Sequence, residues 1–390
     1  MSSESGDIRA AFDQLSLTVR DYSAPLWFDA AWDPDMGAYY DALTPDARPD
    51  NRPKRSRVQA RQIFCLLAFQ TLTGSTSDVL TERAITVFNS LTRDYRTRDG
   101  AFCLHQINSK SQSSRVDNYD QAFVIFAAAW LFKATKEPAV KQVALDTLSF
   151  LERIRKHPDW GYYDFDRDKG LQKANPHMHL LEAFLEWARV DPDGPWLRGA
   201  AGIVNGAVGS IIDTNAGTVL EFADRHWQPI RDSSDFDRIE PGHIFEWVCL
   251  LNDYAEQTAT KELFGLCRKM YAAATNIGCD DDASLIYASF SSRLVVTDRN
   301  SRLWTHTERI KAAILMGRTD PDNRQKYAGH LLAALQSLWA YFAAAKTKGL
   351  WLDWRLSSGE FISEPSPTSS LYHILNSLLA VQTWLGPQRC

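Results

Sequence analysis

Three of the nine histidines in this chain stand where a helix is expected to begin. His179 follows Asn175-Pro176, His243 follows Glu240-Pro241-Gly242, and His373 follows Thr368, Ser369 and Ser370. Asn, Ser and Thr cap helices through their side chains, and proline fits the first helical position because no amide hydrogen is needed there. Imidazole titrates near neutral pH, so histidines gathered in one place suit proton transfer. Two of them carry a second regularity. Glu182 lies three residues after His179, and Glu246 three after His243. That spacing puts both side chains on one helix face, where a carboxylate can fix the ring's tautomer and raise its basicity. His177 lies two residues before His179 and points away from it, so the pairing selects His179. The matching place holds Arg61 in the first such helix, Tyr119 and Asp120 in the second, and Glu308, after Arg302 and Trp304, in the fifth. Any one histidine at a helix start is more often a cap or a satisfied core residue. The equivalent placement of three points to function.

The elements that position them recur along the chain. Short segments with Gly or small residues beside aromatics occur near Gly37, Gly100, Gly161, Gly217, Ser284 and Gly349, at intervals of 56 to 67 residues. Each precedes a strongly apolar helical run, beginning at Arg61, Tyr119, His177, His243, Glu308 and Tyr372. Between these lie amphipathic runs such as PAVKQVALDTLSFLERIRK and QKYAGHLLAALQSLWAYFAAAK, apolar on one face and charged on the other. The first kind fits an inner helix buried on all sides, the second an outer helix. Six such helical hairpins predict an all-α protein, a closed α/α toroid of twelve helices with short β-hairpin loops at one end. A ring buries one continuous core, which an isolated hairpin cannot do. With no linker or shift in composition, residues 1–390 are expected to form a single domain. The helix starts, and so the three histidines, gather beneath the loops.

Composition narrows the function. There are 43 basic and 48 acidic residues, a net charge of −5, which disfavours nucleic-acid binding. The basic run at residues 48–57 reads as a solvated loop. The N-terminus lacks a basic region followed by an apolar run, and no stretch is long and apolar enough to span a membrane, so a cytoplasmic protein with no membrane partner is expected. The six cysteines form no C-x-x-C pair and read as buried reduced thiols. Aromatics are abundant, with 13 Trp, 13 Tyr and 19 Phe. Trp130, Trp187 and Trp339 lie inside amphipathic helices and are expected in the core. Trp304 and Trp351 lie in loops before inner helices and are expected to stack on a ligand. No dinucleotide or phosphate-binding glycine motif is present. A metal site from His179, His243 and Glu residues, or a carboxylate pair drawn from Glu182, Glu246 and Glu308 as in a glycosidase, is the weaker reading.

NPHMHLLEA (175–183), EPGHIFEWVCLL (240–251), RLWTHTE (302–308) and SSLYHI (369–374) together resemble the N-acylglucosamine 2-epimerase superfamily, most of all its D-mannose isomerase branch. VQARQIF (58–64), DNYDQAFVIFA (117–127) and EFADRHW (221–227) are similar to further segments of it, so the resemblance spans nearly the whole chain. It implies an (α/α)6 barrel and aldose chemistry that needs neither metal nor cofactor. His243 and His373 would be the acid/base pair, with Glu246 supporting His243. His179 would assist ring opening or bind the ring, Arg61 would polarise sugar oxygens, and Trp304 would stack on the sugar. Tyr119, Asn175, Glu182, Glu308 and Trp351 complete the set expected to contact a monosaccharide. The reaction implied is interconversion of D-mannose and D-fructose, or of D-lyxose and D-xylulose, through a cis-enediol. The alternatives are 2-epimerisation of an N-acyl sugar or glucoside, and a sugar-binding toroid without catalysis. The sequence does not choose between monomer and homodimer.

Overall fold

A helix that is apolar on every side must be buried on every side, and six of them can achieve this by closing a ring. In the computed structural model, which describes residues 3–106, 115–164, 170–231, 233, 235–280 and 284–386, they do so. The inner helices are α2 (Ser56–Thr73), α4 (Asn118–Thr135), α6 (Ala174–Val190), α8 (Pro241–Thr258), α10 (Leu303–Thr319) and α12 (Ser370–Leu385). Each packs on the next, and α12 closes on α2. The outer helices are α1 (Ser3–Thr18), α3 (Val79–Tyr95), α5 (Pro138–Phe150), α7 (Trp196–Ala207), α9 (Leu263–Gly278) and α11 (Arg324–Ala343). The fold is therefore the expected (α/α)6 barrel. One pairing differs from a simple run of hairpins. Among the described residues no outer helix follows α12, and α1 packs on α11 and α12 instead. The ring is thus closed by both ends of the chain. Among the described residues no helix is long and apolar enough to cross a membrane.

The recurring glycines shape the loops at the inner-helix starts. Gly37, Gly100, Gly161, Gly217 and Gly349 all have positive φ, between 61° and 94°. At two of them space forbids any side chain as well. A Cβ on Gly217 would lie 2.8 Å from the Lys269 carbonyl oxygen, and one on Gly349 2.6 Å from the Tyr22 carbonyl carbon. Short antiparallel pairs tie the loops together. Leu171–Lys173 pairs with Phe222–Asp224, joining the approach to α6 to the loop before α8. Val296–Arg302 runs between Tyr287–Phe290 and Trp354–Arg355.

The helix starts differ in detail from expectation. Pro241 is the first residue of α8, as proposed. Helix α6 begins at Ala174, so Asn175 is already inside the helix rather than capping it. Ser369 precedes α12 without a side-chain cap, because Thr368 Oγ1 donates to the Tyr40 carbonyl and Ser370 Oγ to Asp353. Five cysteines, Cys65, Cys103, Cys249, Cys267 and Cys279, are buried free thiols. Cys390 lies outside the described residues. Trp187 is fully buried, and Trp130 and Trp339 are half-buried against the core.

Trp351 does not line the cavity that the inner-helix starts form. The chain turns inward at Leu350–Leu352, and Trp351 is fully buried, stacked on Trp27 with ring centroids 4.6 Å apart and edge-on to Phe342 at 5.6 Å. It locks the segment after α1 to α11 rather than walling a pocket. Trp351→Ala should cost about 3–5 kcal/mol of stability, measured as a lower urea midpoint; an unchanged midpoint with weakened sugar binding would restore the stacking role.

Candidate active site

Inner-helix starts converge on one cavity of about 200 Å³. It is lined by Arg61, Tyr119, Asn175, His179, Glu240, His243, Glu246, Arg302, Trp304, Ser369, Ser370 and His373. Eight of the eleven residues nominated from sequence are in that lining. Trp304, the second residue of α10 rather than a loop residue, lies between two of the histidines, its ring 4.9 Å from His243 and 5.6 Å from His373.

The cavity has two layers. Tyr119, Asn175 and Trp304 are the second residues of α4, α6 and α10, and His243 is the third of α8. Arg61, His179, Glu246 and Glu308 are the sixth residues of α2, α6, α8 and α10. Three residues along a helix is a rise of about 4.5 Å. Glu246 therefore lies a turn deeper than His243 and makes no hydrogen bond to it, adding only the weakest of the carboxylate influences on that ring. Its Oε1 is 3.7 Å from His179 Nδ1, and neither carboxyl oxygen has a hydrogen-bond partner among the described residues. The carboxylate at His243 Nδ1 is Glu221, at 2.9 Å, delivered by the loop that the Leu171–Lys173 strand pins. Sequence reasoning missed Glu221 because a loop-to-helix contact over 22 residues has no local spacing. Its signal was only its place in the recurring segment GTVLEFADRHW.

The other two histidines are held alike. His179 Nδ1 is 3.0 Å from Glu182, as the three-residue spacing predicts. His373 Nδ1 is 2.9 Å from Glu308, across from α12 to α10. Glu182 also accepts from the Tyr372 hydroxyl, and Glu308 forms an ion pair with Lys311 at 2.6 Å. Both carboxylates thus lie behind the imidazoles and outside the cavity lining, contrary to a direct sugar contact. Arg61 donates to the Tyr119 hydroxyl at 2.6 Å, with its guanidinium 4.1 Å from the Phe123 ring.

These surroundings give the histidines different protonation. Burial disfavours an imidazolium at His243, but Glu221 and Glu240 outweigh it and raise its pKa to about 10. Asn175 Nδ2 lies 3.1 Å from His243 Nε2, while Asn175 Oδ1 is buried without a partner among the described residues. Turning that amide end for end lets the oxygen accept from an Nε2–H, so the contact suits an imidazolium. At His373 burial dominates, helped by the positive charges of Arg61 and Lys311, and lowers the pKa to about 4 despite Glu308. His373 is a neutral imidazole whose Nδ1–H donates to Glu308, and Nε2 has no partner among the described residues. Burial, with Arg61 and His243 nearby, keeps His179 neutral too. Burial pushes the Glu246 carboxyl well above its usual range, and neighbouring Glu308 adds to this.

Two groups have ligand atoms within 4.8 Å of one another, His179 with Glu182 and Glu246, and His243 with Glu221 and Glu240. His179 and His243 fall in different groups, so among the described residues no such group contains both. The basic run is not a free loop either. Lys54, Arg55 and Arg57 pair with Asp33, Asp41 and Asp120.

A model of the N-acylglucosamine 2-epimerase family matches residues 37–377. The chain belongs to this family. Its relatives within and around the family include the "Mannose-6-phosphate isomerase" of Rhizobium meliloti (strain 1021), 31% identical over 97% of this chain and 98% of that one. The D-mannose isomerase of Thermobifida fusca is 26% identical over 59% of this chain and 60% of its own. Among solved structures, a D-mannose isomerase superimposes with a TM-score of 0.84 at 17% identity, covering 96% of each chain. The cellobiose 2-epimerase of Spirochaeta thermophila DSM 6192 gives 0.83 at 17% identity, covering 97% of each. At those identities the structures establish the shared barrel.

The unequal histidines of this family member can be read directly. By NMR of the imidazole ring protons, His243 should titrate near pH 10. Glu221→Gln should move that titration far down, because the neutral amide no longer favours the imidazolium, while Glu246→Gln should move it much less. A larger shift from Glu246→Gln would reinstate the pairing first expected from the spacing.

Proposed function

We propose that the protein is an aldose–ketose isomerase that interconverts D-mannose and D-fructose without a metal or cofactor. The observation that carries this reading is the pair of cavity imidazoles on either side of Trp304, each held at Nδ1 by its own carboxylate, Glu221 or Glu308. Once the sugar ring opens, His373 Nε2 takes the proton from C2 and its electrons form the C1–C2 double bond. The carbonyl oxygen at C1 takes a proton from His243, giving the cis-enediol. His373 then returns its proton to C1 on the same face while His243 recovers one from the hydroxyl at C2, and the ketose results. His179, braced by Glu182, and Arg61 are positioned to handle the sugar oxygens during ring opening. The relatives named as mannose isomerases support the substrate, and a cavity of about 200 Å³ suits one small polar molecule such as a monosaccharide.

A phosphorylated sugar is the second reading, raised by the Rhizobium meliloti relative's name and by a side chamber that continues from the cavity past Arg61. Five cations line it: Arg55, Arg57, Arg61, Arg115 and Lys173. Four of them are already matched by carboxylates, Arg55 with Asp41, Arg57 with Asp120, Arg115 with Asp117 and Lys173 with Asp164. A phosphate dianion gains little from a chamber so nearly balanced. That supports the uncharged sugar.

With EDTA present, D-mannose should yield D-fructose, with a higher kcat/KM than mannose 6-phosphate. In deuterated water the fructose should carry one deuterium at C1; glucose with deuterium at C2 would mean a 2-epimerase, and no turnover of any aldose would leave a binding protein. Activity should fall as pH drops through about 4, where His373 gains a proton, and as it rises through about 10, where His243 loses one. His373→Gln and His243→Gln should each lower kcat/KM by ~10²–10⁴.

A further inference from the structure

Each of the three imidazoles has a carboxylate at Nδ1, yet the carboxylates differ in what stands behind them. Glu182 has a neutral donor, the Tyr372 hydroxyl. Glu221 has a second carboxylate close by, since Glu240 lies 3.7 Å from the same imidazole. Among the described residues Glu308 is the one of the three in a direct ion pair with a lysine or arginine, Lys311 Nζ lying 2.6 Å from its Oε2 while its Oε1 takes the His373 bond. The Lys311 side chain is 11% exposed and is absent from the cavity lining, so it cannot meet the sugar directly. Burying an ammonium ion is costly unless it is paired. We propose that Lys311 is a positioning residue, which holds Glu308 as a carboxylate so that His373 keeps its proton on Nδ1 and offers Nε2 to the substrate as a base.

The surrounding charges agree. Lys311 feels Glu246 and Cys249 from α8 and Glu182 from α6, besides Glu308 on its own helix. Burial pushes Glu182 and Glu246 towards the protonated form, and Glu308 alone is drawn down, to about 2, where Lys311 and His373 outweigh its burial. From α2, Arg61 adds positive charge on the His373 side, and Tyr372 of α12 faces the carboxyls as a neutral phenol. Removing Lys311 would let the Glu308–His373 pair bind a proton at higher pH, whichever partner holds it. The base would then be lost sooner as the solution is acidified.

This inference rests on the isomerase reading for its kinetic test but not for its spectroscopic one. Lys311→Met keeps the length of the stem and removes the charge. It should lower kcat on mannose by about 10- to 100-fold, leave KM nearly unchanged, and move the acid limb of the pH profile upward. On a Glu308→Gln background the same change should cost nothing further, since the effect passes through that carboxylate. Lower thermal stability with kcat per folded molecule and the acid limb unchanged would overturn the proposal, as would losses that multiply in the double variant. If Lys311→Met does not fold, the unaltered protein still decides. ¹⁵N NMR at pH 7, with His373 assigned through His373→Gln, should show a neutral ring protonated on Nδ1. An imidazolium or an Nε2–H ring there would refute it. Absence of turnover by the unaltered protein on every aldose would instead sink the isomerase reading alone.

Discussion

Six helices closed in a ring bring their starts together in a space with little solvent, and any ionisable group placed there must be satisfied from across the ring. That constraint governs the whole site. Arg57 and Arg61 of α2 reach Asp120 and Tyr119 of α4. Asn175 of α6 meets His243 of α8, Tyr372 of α12 meets Glu182 of α6, and His373 of α12 meets Glu308 of α10. Each contact joins two helices that the sequence separates by tens of residues. Each also removes a buried polar group's need for water. The polar side chains around the cavity are therefore also the stitching of the mouth. The same geometry points helix N-termini at the cavity, and their partial positive charge favours an anion there. An enediol with negative charge developing on oxygen is the kind of species such a cavity stabilises.

The architecture was legible because it repeats. An apolar run every sixty or so residues, five of the six preceded by a glycine with positive φ, leaves few ways to bury the surface. What repeats could also be mapped: eight of the nominated side chains line one cavity. Contacts within one helix turn were readable too, as His179 with Glu182 shows. The failures at Glu246, Glu221 and Lys311 share one physical origin. Glu246 sits on the same face as His243 but a turn deeper, and helix spacing reports the face while saying nothing of which layer a partner occupies. Glu221 and Lys311 do their work through tertiary contacts, and no local rule flags them. Trp351 failed for another reason. An aromatic in a loop can stack on a ligand or on the core, and only the direction of the turn at Leu350–Leu352 decides.

Imidazole is the same group at His179, His243 and His373, so residue type cannot say which is acid and which is base. Environment does. Two carboxylates beside His243 favour its charged form, and no arrangement of apolar neighbours could have done so against the cost of burial. At His373 there is one carboxylate, and Lys311 cancels it. From the imidazole's position the Glu308–Lys311 pair is close to neutral, so burial prevails and the ring stays uncharged. The hydrogen bond to Nδ1 nevertheless survives, because Glu308 remains ionised and needs a donor. The ion pair thus separates two properties that usually travel together: it fixes the tautomer of His373 without making the ring a stronger base. Two carboxylates, as at His243, fix the tautomer and also hold the proton. In the proposed isomerase an acid and a base built from one residue type therefore need unlike partners, and the mouth of this barrel supplies them from different places, a loop carboxylate for one and a helix ion pair for the other.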